Sequence, residues 1–397
     1  MANKAVKRND TVSSPILTEK TITTKPQQLI GTLISSSLHS SPLPTIPFDL
    51  IPEILHRLPV KPLMQFRCVC KWWNSLISDP KFAKKHFRFS TTCLIHILTY
   101  SSLSHKYIIK SYPLNSLFTK DVAYNKIAQH EIASSHCVYN VGSCNGIICV
   151  AEYHIYERFA IYRLWNPSIR KFKELPPLEL QHAGYNFQMH GFGHDPISDN
   201  YKVVVVFRDN NKTDVKVVHN VGTNFWKDIK ETFQYDRFIV EQKSGKYVNG
   251  TINWLASKDY SKGQRFIASF DLGNESYKKV LLPDYDYREI GSRTLHLSVF
   301  GNCLCWICSN DVWIMKEYGN KASWTKLFTI PFMPSYYHLF ANVMHIFEDG
   351  LVTWKSTQDL TRNLVFYNSI NGSVKFSYFQ FRYILEICVE SLISPCS

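Results

Sequence analysis

Leu164-Trp165-Asn166-Pro167-Ser168-Ile169-Arg170-Lys171-Phe172, running on to Leu175-Pro176, is the segment on which the fold turns. A β-rich stretch ends in a polar turn containing Asn and Pro, and an aromatic residue leads into a second β-rich stretch. The same hairpin pattern returns at Val218-His219-Asn220 through Phe225-Trp226, and at Ser269-Phe270-Asp271-Leu272-Gly273 through Tyr277 to Leu282-Pro283. Two further copies follow, at Trp313-Ile314-Met315 through Trp324 to Ile330-Pro331, and at Phe366-Tyr367-Asn368 through Val374. Successive copies are about 45–55 residues apart, the period of a four-stranded propeller blade.

Between these hairpins lie strand pairs bounded by glycine: Asn145-Gly146-Ile147-Ile148-Cys149, Tyr247-Val248-Asn249-Gly250-Thr251-Ile252, Gly301-Asn302-Cys303-Leu304-Cys305 and Asp349-Gly350-Leu351-Val352-Thr353. Five units are visible. Residues 92–393 span 302 positions, room for six blades of about fifty residues. The sixth is expected to be composite, with early strands near 93–98 and 107–110 joined by a last strand at 384–389. Closing a ring with both ends of the chain removes its exposed edges. A β-sandwich also accounts for short strands, but not for their spacing.

Before Thr92 the apolar period is near four, in short pieces. Asp49 precedes Leu50-Ile51-Pro52-Glu53-Ile54-Leu55-His56-Arg57-Leu58, where Leu50, Ile54 and Leu58 share one face with Ile51 and Leu55 beside them. The Asp49 carboxylate is placed to cap this helix, and Pro59 to end it. A second helix starts near Pro62 with Leu63, Phe66 and Val69. A third lies around 71–77, and Asp79-Pro80 opens a fourth carrying Phe82, Ala83 and His86. A module of about forty residues is marginal as an independent core, so part of its apolar surface is expected to face a partner. Residues 1–45 hold 14 Ser and Thr with no periodic apolar face and read as a disordered leader. The expected organisation is therefore leader 1–45, helical domain 46–90, all-β propeller 91–393 and tail 394–397, an α+β multidomain chain.

Composition narrows the function. The 397 residues are 45% hydrophobic and 14% aromatic, outside the disordered and fibrous classes. No run approaches the roughly 18 apolar residues of a membrane span, and MANKAVKRND has no apolar signal core, so neither a membrane nor a secreted protein is expected. The 11 cysteines are odd in number and irregularly spaced, as for free thiols in the reducing cytoplasm or nucleus. Of the net charge of +13, +8 falls in the first 90 residues and is interleaved with core positions. A nucleic-acid partner, which usually meets a concentrated basic stripe, is not expected.

Catalytic motifs are missing. There is no Gly-x-Ser-x-Gly elbow, phosphate-cradling Gly-Lys loop or His-Glu-x-x-His. Gly191-Phe192-Gly193 has no third glycine and opens no helix. His190, His194 and Asp195 lie along a strand, where their spacing does not converge on one metal ion. Cys303, Cys305 and Cys308 have no matching pair at zinc spacing and read as buried strand thiols. The Trp and Tyr residues at blade intervals read as packing between blades. No catalytic residue, cofactor or metal site is expected.

Two regions resemble known families. Ile46-Pro47-Phe48-Asp49-Leu50-Ile51-Pro52-Glu53-Ile54-Leu55-His56-Arg57-Leu58-Pro59-Val60-Lys61, continued by Arg67-Cys68-Val69-Cys70-Lys71-Trp72-Trp73-Asn74-Ser75-Leu76-Ile77-Ser78-Asp79-Pro80-Lys81-Phe82, resembles an F-box. The β region resembles the F-box-associated, kelch-like domain of the large plant family. It does so through Trp165-Asn166-Pro167-x-x-Arg170 with Leu175-Pro176, through Ser143-Cys144-Asn145-Gly146, and through Gly191-Phe192-Gly193-His194-Asp195-Pro196 with Tyr201-Lys202-Val203-Val204. The paired glycines of true kelch repeats are absent. Trp72 stands where a small or polar residue is usual, which an exposed helix face would tolerate.

The resemblance implies a substrate receptor of a Skp–cullin–F-box ubiquitin ligase. Its F-box would bind the Skp-type adaptor, and through it the cullin scaffold, while the propeller holds a target of unknown identity. Catalysis would then be by proximity, with the chemistry done by other subunits. Adaptor contacts carried over by the resemblance are Ile46, Pro47, Leu50, Ile54, Leu55, Leu58, Pro59, Leu63, Val69, Trp73 and Leu76, some of them also core. Target contacts are expected in loops 151–159, 209–214, 258–264 and 334–339. Two alternatives stay open: an F-box scaffold outside any ligase, and a propeller enzyme with acidic or metal-binding residues converging on its channel.

Overall fold

A computed structural model of the chain describes residues 47–396, apart from 102, 119–127, 133–135, 137, 155, 180–185, 209–213, 230–238, 259–264, 285–294, 331–341, 347–350, 359–360 and 377–382. The expected leader, 1–45, therefore lies outside the described residues. The chain divides after Pro47, and the described helices and sheets belong to the unit that starts at Phe48.

Four helices come first: α1 (Leu50–Leu55), α2 (Val60–Phe66), α3 (Lys71–Ser78) and α4 (Pro80–Phe87). The first is shorter than the apolar period implies. Pro59 lies too close for another full turn, so the chain tightens instead, with Arg57 N–H donating to Ile54 O and Leu58 N–H to Leu55 O. Asp49 itself has helical dihedrals and its side chain makes no capping bond, contrary to expectation. Asp79 does cap: its Oδ1 accepts from Lys81 N at 2.6 Å, with Pro80 at the first helical position. At the start of α3 the Cys70 Sγ accepts from Trp73 N at 3.5 Å.

Among the described residues the strands form six antiparallel sheets. The first contains β1 (Cys93–Ser101), β2 (Lys106–Pro113) and β3 (Ala128–Ile132), and the second β4 (Val138–Cys144), β5 (Ile147–His154), β6 (Phe159–Asn166), β7 (Lys171–Glu174) and β8 (Leu178–Glu179). The third contains β9 (Asn186–Asp195), β10 (Asn200–Arg208), β11 (Asp214–Asn220) and β12 (Trp226–Asp228). In the fourth, β13 (Ile239–Val240) and β14 (Lys246–Val248) both pair with β15 (Thr251–Ser257), followed by β16 (Arg265–Asp271) and β17 (Ser276–Val280). The fifth holds β18 (Leu295–Phe300), β19 (Cys303–Cys308), β20 (Asp311–Met315) and β21 (Trp324–Thr329). The sixth holds β22 (Asn342–Ile346), β23 (Leu351–Gln358), β24 (Thr361–Asn368) and β25 (Val374–Phe376). The last strand, β26 (Tyr383–Val389), returns to the first sheet and pairs antiparallel with β1, from Cys93 opposite Val389 to Leu98 opposite Tyr383.

Five blades are thus continuous in sequence and the sixth is composite, as the spacing predicts. The innermost strands touch in a closed circuit, β4 against β9, β9 against β15, β14 against β18, β18 against β22, β22 against β26 and β26 against β4. Each of the five sequence hairpins is the pairing of a blade's last two strands, with Trp165 opposite Phe172, His219 opposite Trp226 and Phe270 opposite Tyr277 among them.

Aromatic residues at blade intervals also tie neighbours together. Trp226 Nε1 donates to Pro176 O at 2.9 Å, and Trp324 Nε1 to Leu281 O at 2.9 Å, each reaching the Leu-Pro end of the preceding blade. Trp254 Nε1 donates to His190 O at 2.8 Å. The Gly191 of Gly191-Phe192-Gly193 is required by this closeness: a Cβ there would lie 2.3 Å from Ile252 Cγ2 of the next blade.

Candidate functional site

The helical module turns one apolar face to the propeller. Leu55, Val60, Leu63, Ile77, Phe82 and Ala83 share a single buried cluster with Cys144, Ile147, Tyr201, Leu392 and Ile393. A Leu buried in this way contributes on the order of 2 kcal/mol, so the seam is held as a core is held. Polar groups fix its register. Pro59 has no side chain that could cap α2, and Val60 N–H donates instead to Glu390 Oε1, 3.0 Å away and 330 residues later. Lys84 on α4 pairs with Asp199 in the turn between β9 and β10. His86 Nε2 lies 2.8 Å from Leu58 O, tying α4 to the end of α1.

The seat under the module is built by the Trp-Asn-Pro turn. Asn166 Oδ1 accepts from Ser168 N at 2.9 Å, while its Nδ2 donates to Ser391 O at 3.0 Å and Ile393 O at 2.7 Å. The segment that leaves β26 is thereby held where Leu392 and Ile393 meet the helices. Gly146, at the turn between β4 and β5, has a φ of +77° and leaves no room for a side chain: a Cβ would come 2.4 Å from Ser391 Cβ.

The other face of the module is uncovered. Phe48 is 76% exposed, Val69 63%, Leu50 51%, Ile54 46% and Trp72 44%. Leu50 and Ile54 are one turn apart on α1, and the Phe48 ring meets the Trp72 ring edge-on with centroids 6.1 Å apart. Isolated exposed apolar residues are ordinary, but six on one small module, counting Phe89 at 46%, make it a candidate interaction surface.

The eleven expected adaptor contacts separate by position. Pro47, Leu50, Ile54, Pro59 and Val69 are exposed, and Leu58, Trp73 and Leu76 are half-buried, Trp73 edge-on to Phe66. Leu55 and Leu63, at 2% and 0% exposure, are core residues of the seam and closed to any partner in this arrangement. Their place in the apolar period gives no sign of that, because the period does not say which side the propeller occupies. Ile46 lies outside the described residues. Phe48 and Trp72 were not among the expected contacts, although Trp72 was expected on an exposed helix face, as it is.

Sites considered for chemistry are accounted for structurally. His190 is buried, with Nε2 2.8 Å from Asn140 O, and burial pulls its pKa down to about 3. His194 Nε2 instead meets Asp199 Oδ1 at 3.0 Å. Cys305 and Cys308 are buried and Cys303 half-buried, none of them in a disulfide, and burial pushes the Cys305 thiol up. A cleft of about 360 Å³ at the module end of the inner strands has Glu386 as its one carboxylate among the described lining residues, and Asn140 Nδ2 donates to it at 3.3 Å. No set of acids converges there. Of the expected target loops, 151–159 is described except for 155 and is narrower than expected, since 151–154 belong to β5 and 159 to β6, whereas 209–213, 259–264 and 334–339 lie outside the described residues.

Comparison with known proteins agrees with both halves of this arrangement. A family model described as "F-box domain" matches residues 43–85, and one described as "F-box associated beta propeller domain" matches residues 102–393. The Arabidopsis thaliana F-box/kelch-repeat protein At3g23880 is 31% identical over 84% of this chain and 90% of its own length. The F-box protein CPR1 of the same plant is 28% identical over 72% of this chain and 73% of its own. Among solved structures, the β-propeller domain of the Trilobed protease from Pyrococcus furiosus aligns over 72% of this chain and 81% of its own, at 12% identity and a TM-score of 0.36.

Proposed function

The chain belongs to the F-box proteins that carry an F-box associated β-propeller, and on that premise we propose that it is the substrate-recognition subunit of a Skp–cullin–F-box ubiquitin ligase. An F-box implies a Skp-type adaptor as partner. The observation that carries the reading is the two-faced helical module: one apolar face seated on the propeller, the other exposed through Phe48, Leu50, Ile54, Val69 and Trp72. Pro47, Leu50, Ile54, Pro59 and Val69, with the partly covered Leu58, Trp73 and Leu76, are the proposed adaptor contacts. An interface of this kind draws most of its energy from a desolvated apolar centre with aromatic anchors.

In this reading the chain does no bond chemistry itself. The propeller holds a client protein while the adaptor and cullin bring the charged conjugating enzyme close, and the acceleration comes from raised local concentration and orientation. The working compartment would be the cytoplasm or nucleus.

The test is co-purification of the full chain with a Skp-type adaptor and cullin. Leu50→Asp with Ile54→Asp introduces two charges into the exposed face without touching the seam. Adaptor affinity should fall at least about 100-fold, since each unpaired charge buried in an interface costs several kcal/mol. The melting temperature should not move. A wild-type chain that ignores the adaptor, or a double variant that binds equally well, overturns the reading. Adaptor without cullin in the purified complex would point to a scaffold instead.

A further inference from the structure

Away from the module, β5 runs from Ile147, beneath the helices, to His154. Eight extended residues cover roughly 23 Å, so His154 and the turn after it lie on the opposite rim. There Glu152 and His154, two residues apart, share one face of β5. His136 joins them from just before β4, whose Val138 is the register partner of Glu152. One ligand atom from each of the three lies within 4.8 Å of the others.

We propose that His136, Glu152 and His154 bind a Zn²⁺ ion through two imidazoles and one carboxylate, with the fourth coordination position open on the rim. The distances suit it. Glu152 Oε1 is 2.9 Å from His154 Nε2 and 3.9 Å from His136 Nδ1, bracketing the edge of about 3.4 Å that metal–ligand bonds near 2.1 Å set in a tetrahedron. The shorter contact is not a hydrogen bond: His154 Nε2 is buried without a hydrogen-bond partner. The two imidazole rings lie beside each other, with centroids 4.1 Å apart and planes at 45°.

Each ligand is also oriented from behind, as metal ligands usually are. Arg163 of β6 holds the other carboxylate oxygen of Glu152, so that Oε1 faces the two imidazoles. Glu157 Oε2 lies 3.7 Å from His136 Nε2, the nitrogen turned away from the site. The His154 ring stacks on Phe159 with centroids 4.2 Å apart and planes at 16°. Glu152 is only 2% exposed, so its charge is compensated by the groups beside it, Arg163 among them, rather than by water. Two nitrogens and one oxygen favour a borderline transition ion over Mg²⁺ or Ca²⁺. Bound there, the ion would staple the segment at 136 to the β5–β6 hairpin.

The experiment strips the full chain with chelator and titrates it with ZnCl₂ by calorimetry, using Co²⁺ as a spectroscopic probe. One tight equivalent is expected, with visible Co²⁺ bands of four-coordinate nitrogen and oxygen ligation. His136→Gln and His154→Gln should each weaken that equivalent at least about tenfold, while the metal-free melting temperature of the His136→Gln protein stays that of wild type. Three outcomes overturn the proposal: no uptake at micromolar Zn²⁺, uptake unchanged in both variants, or a thiolate charge-transfer band that disappears with Cys68→Ser.

Discussion

Acid should loosen the composite blade through His96. This side chain has no exposed surface. Its Nδ1 lies 2.8 Å from Ser111 Oγ and its Nε2 3.0 Å from Cys388 Sγ. Glu386, its register partner on β26, is turned instead to Asn140 and to Lys246 Nζ at 3.9 Å. Burial alone therefore pulls the imidazole pKa down from 6.5 to about 3. Below pH 6.5 the unfolded chain takes up a proton that the folded chain refuses until about pH 3, so this stabilisation is complete above 6.5 and is lost as pH falls. At about 1.4 kcal/mol per pH unit, the loss between pH 7 and pH 5 is about 2 kcal/mol. His190, buried to the same effect, adds a similar amount. His96→Gln keeps a polar group in place but cannot titrate. Urea unfolding of both proteins at pH 7.0 and 5.0 should show the variant losing about 2 kcal/mol less than wild type over that interval. Any fixed cost of the substitution cancels in the comparison. Equal losses in the two proteins would refute the assignment of acid sensitivity to this imidazole.

Two substitutions test the seam. Leu63→Ala should cost about 2–5 kcal/mol in chemical unfolding, yet leave the adaptor affinity of the folded protein unchanged, because Leu63 is wholly covered. Asn166→Ala strips partners from Ser391 O and Ile393 O, and at about 1–3 kcal/mol for each orphaned carbonyl it should lower stability by about 2–5 kcal/mol and expose the C-terminal segment to limited proteolysis.

What the sequence disclosed follows from what each signal physically is. Blade period and hairpin chemistry are local, so Asn166-Pro167, Asn249-Gly250 and their counterparts could be read directly, and the composite blade followed from counting. The helices were legible from Leu50, Ile54 and Leu63, but the side each residue faces was not. That choice is made by Glu390, Leu392 and Ile393, more than three hundred residues away. The capping role expected of Asp49 failed for a related reason: a short helix that starts at Leu50 and must end before Pro59 takes its position from packing rather than from its cap. The rim cluster was hidden because Glu152-x-His154 is an ordinary strand pattern until folding adds His136. Asn166 was quoted as a motif residue, yet its work, gripping the far end of the chain, has no signature within the motif.

The seam bears on how proximity catalysis could operate. Raised local concentration helps only if the client and the conjugating enzyme are held within a narrow range of separations, and a freely jointed module would spread that range widely. Here the module cannot swing on a linker without uncovering Leu55, Leu63 and Ile77, breaking the Val60–Glu390 bond and parting Lys84 from Asp199. Because its seat includes residues that immediately follow β26, the same strand that closes the ring also carries the module's support. Closure of the propeller and placement of the adaptor-facing surface are therefore one structural event. An adaptor bound to Leu50 and Ile54 would then stand at a set distance from the opposite rim.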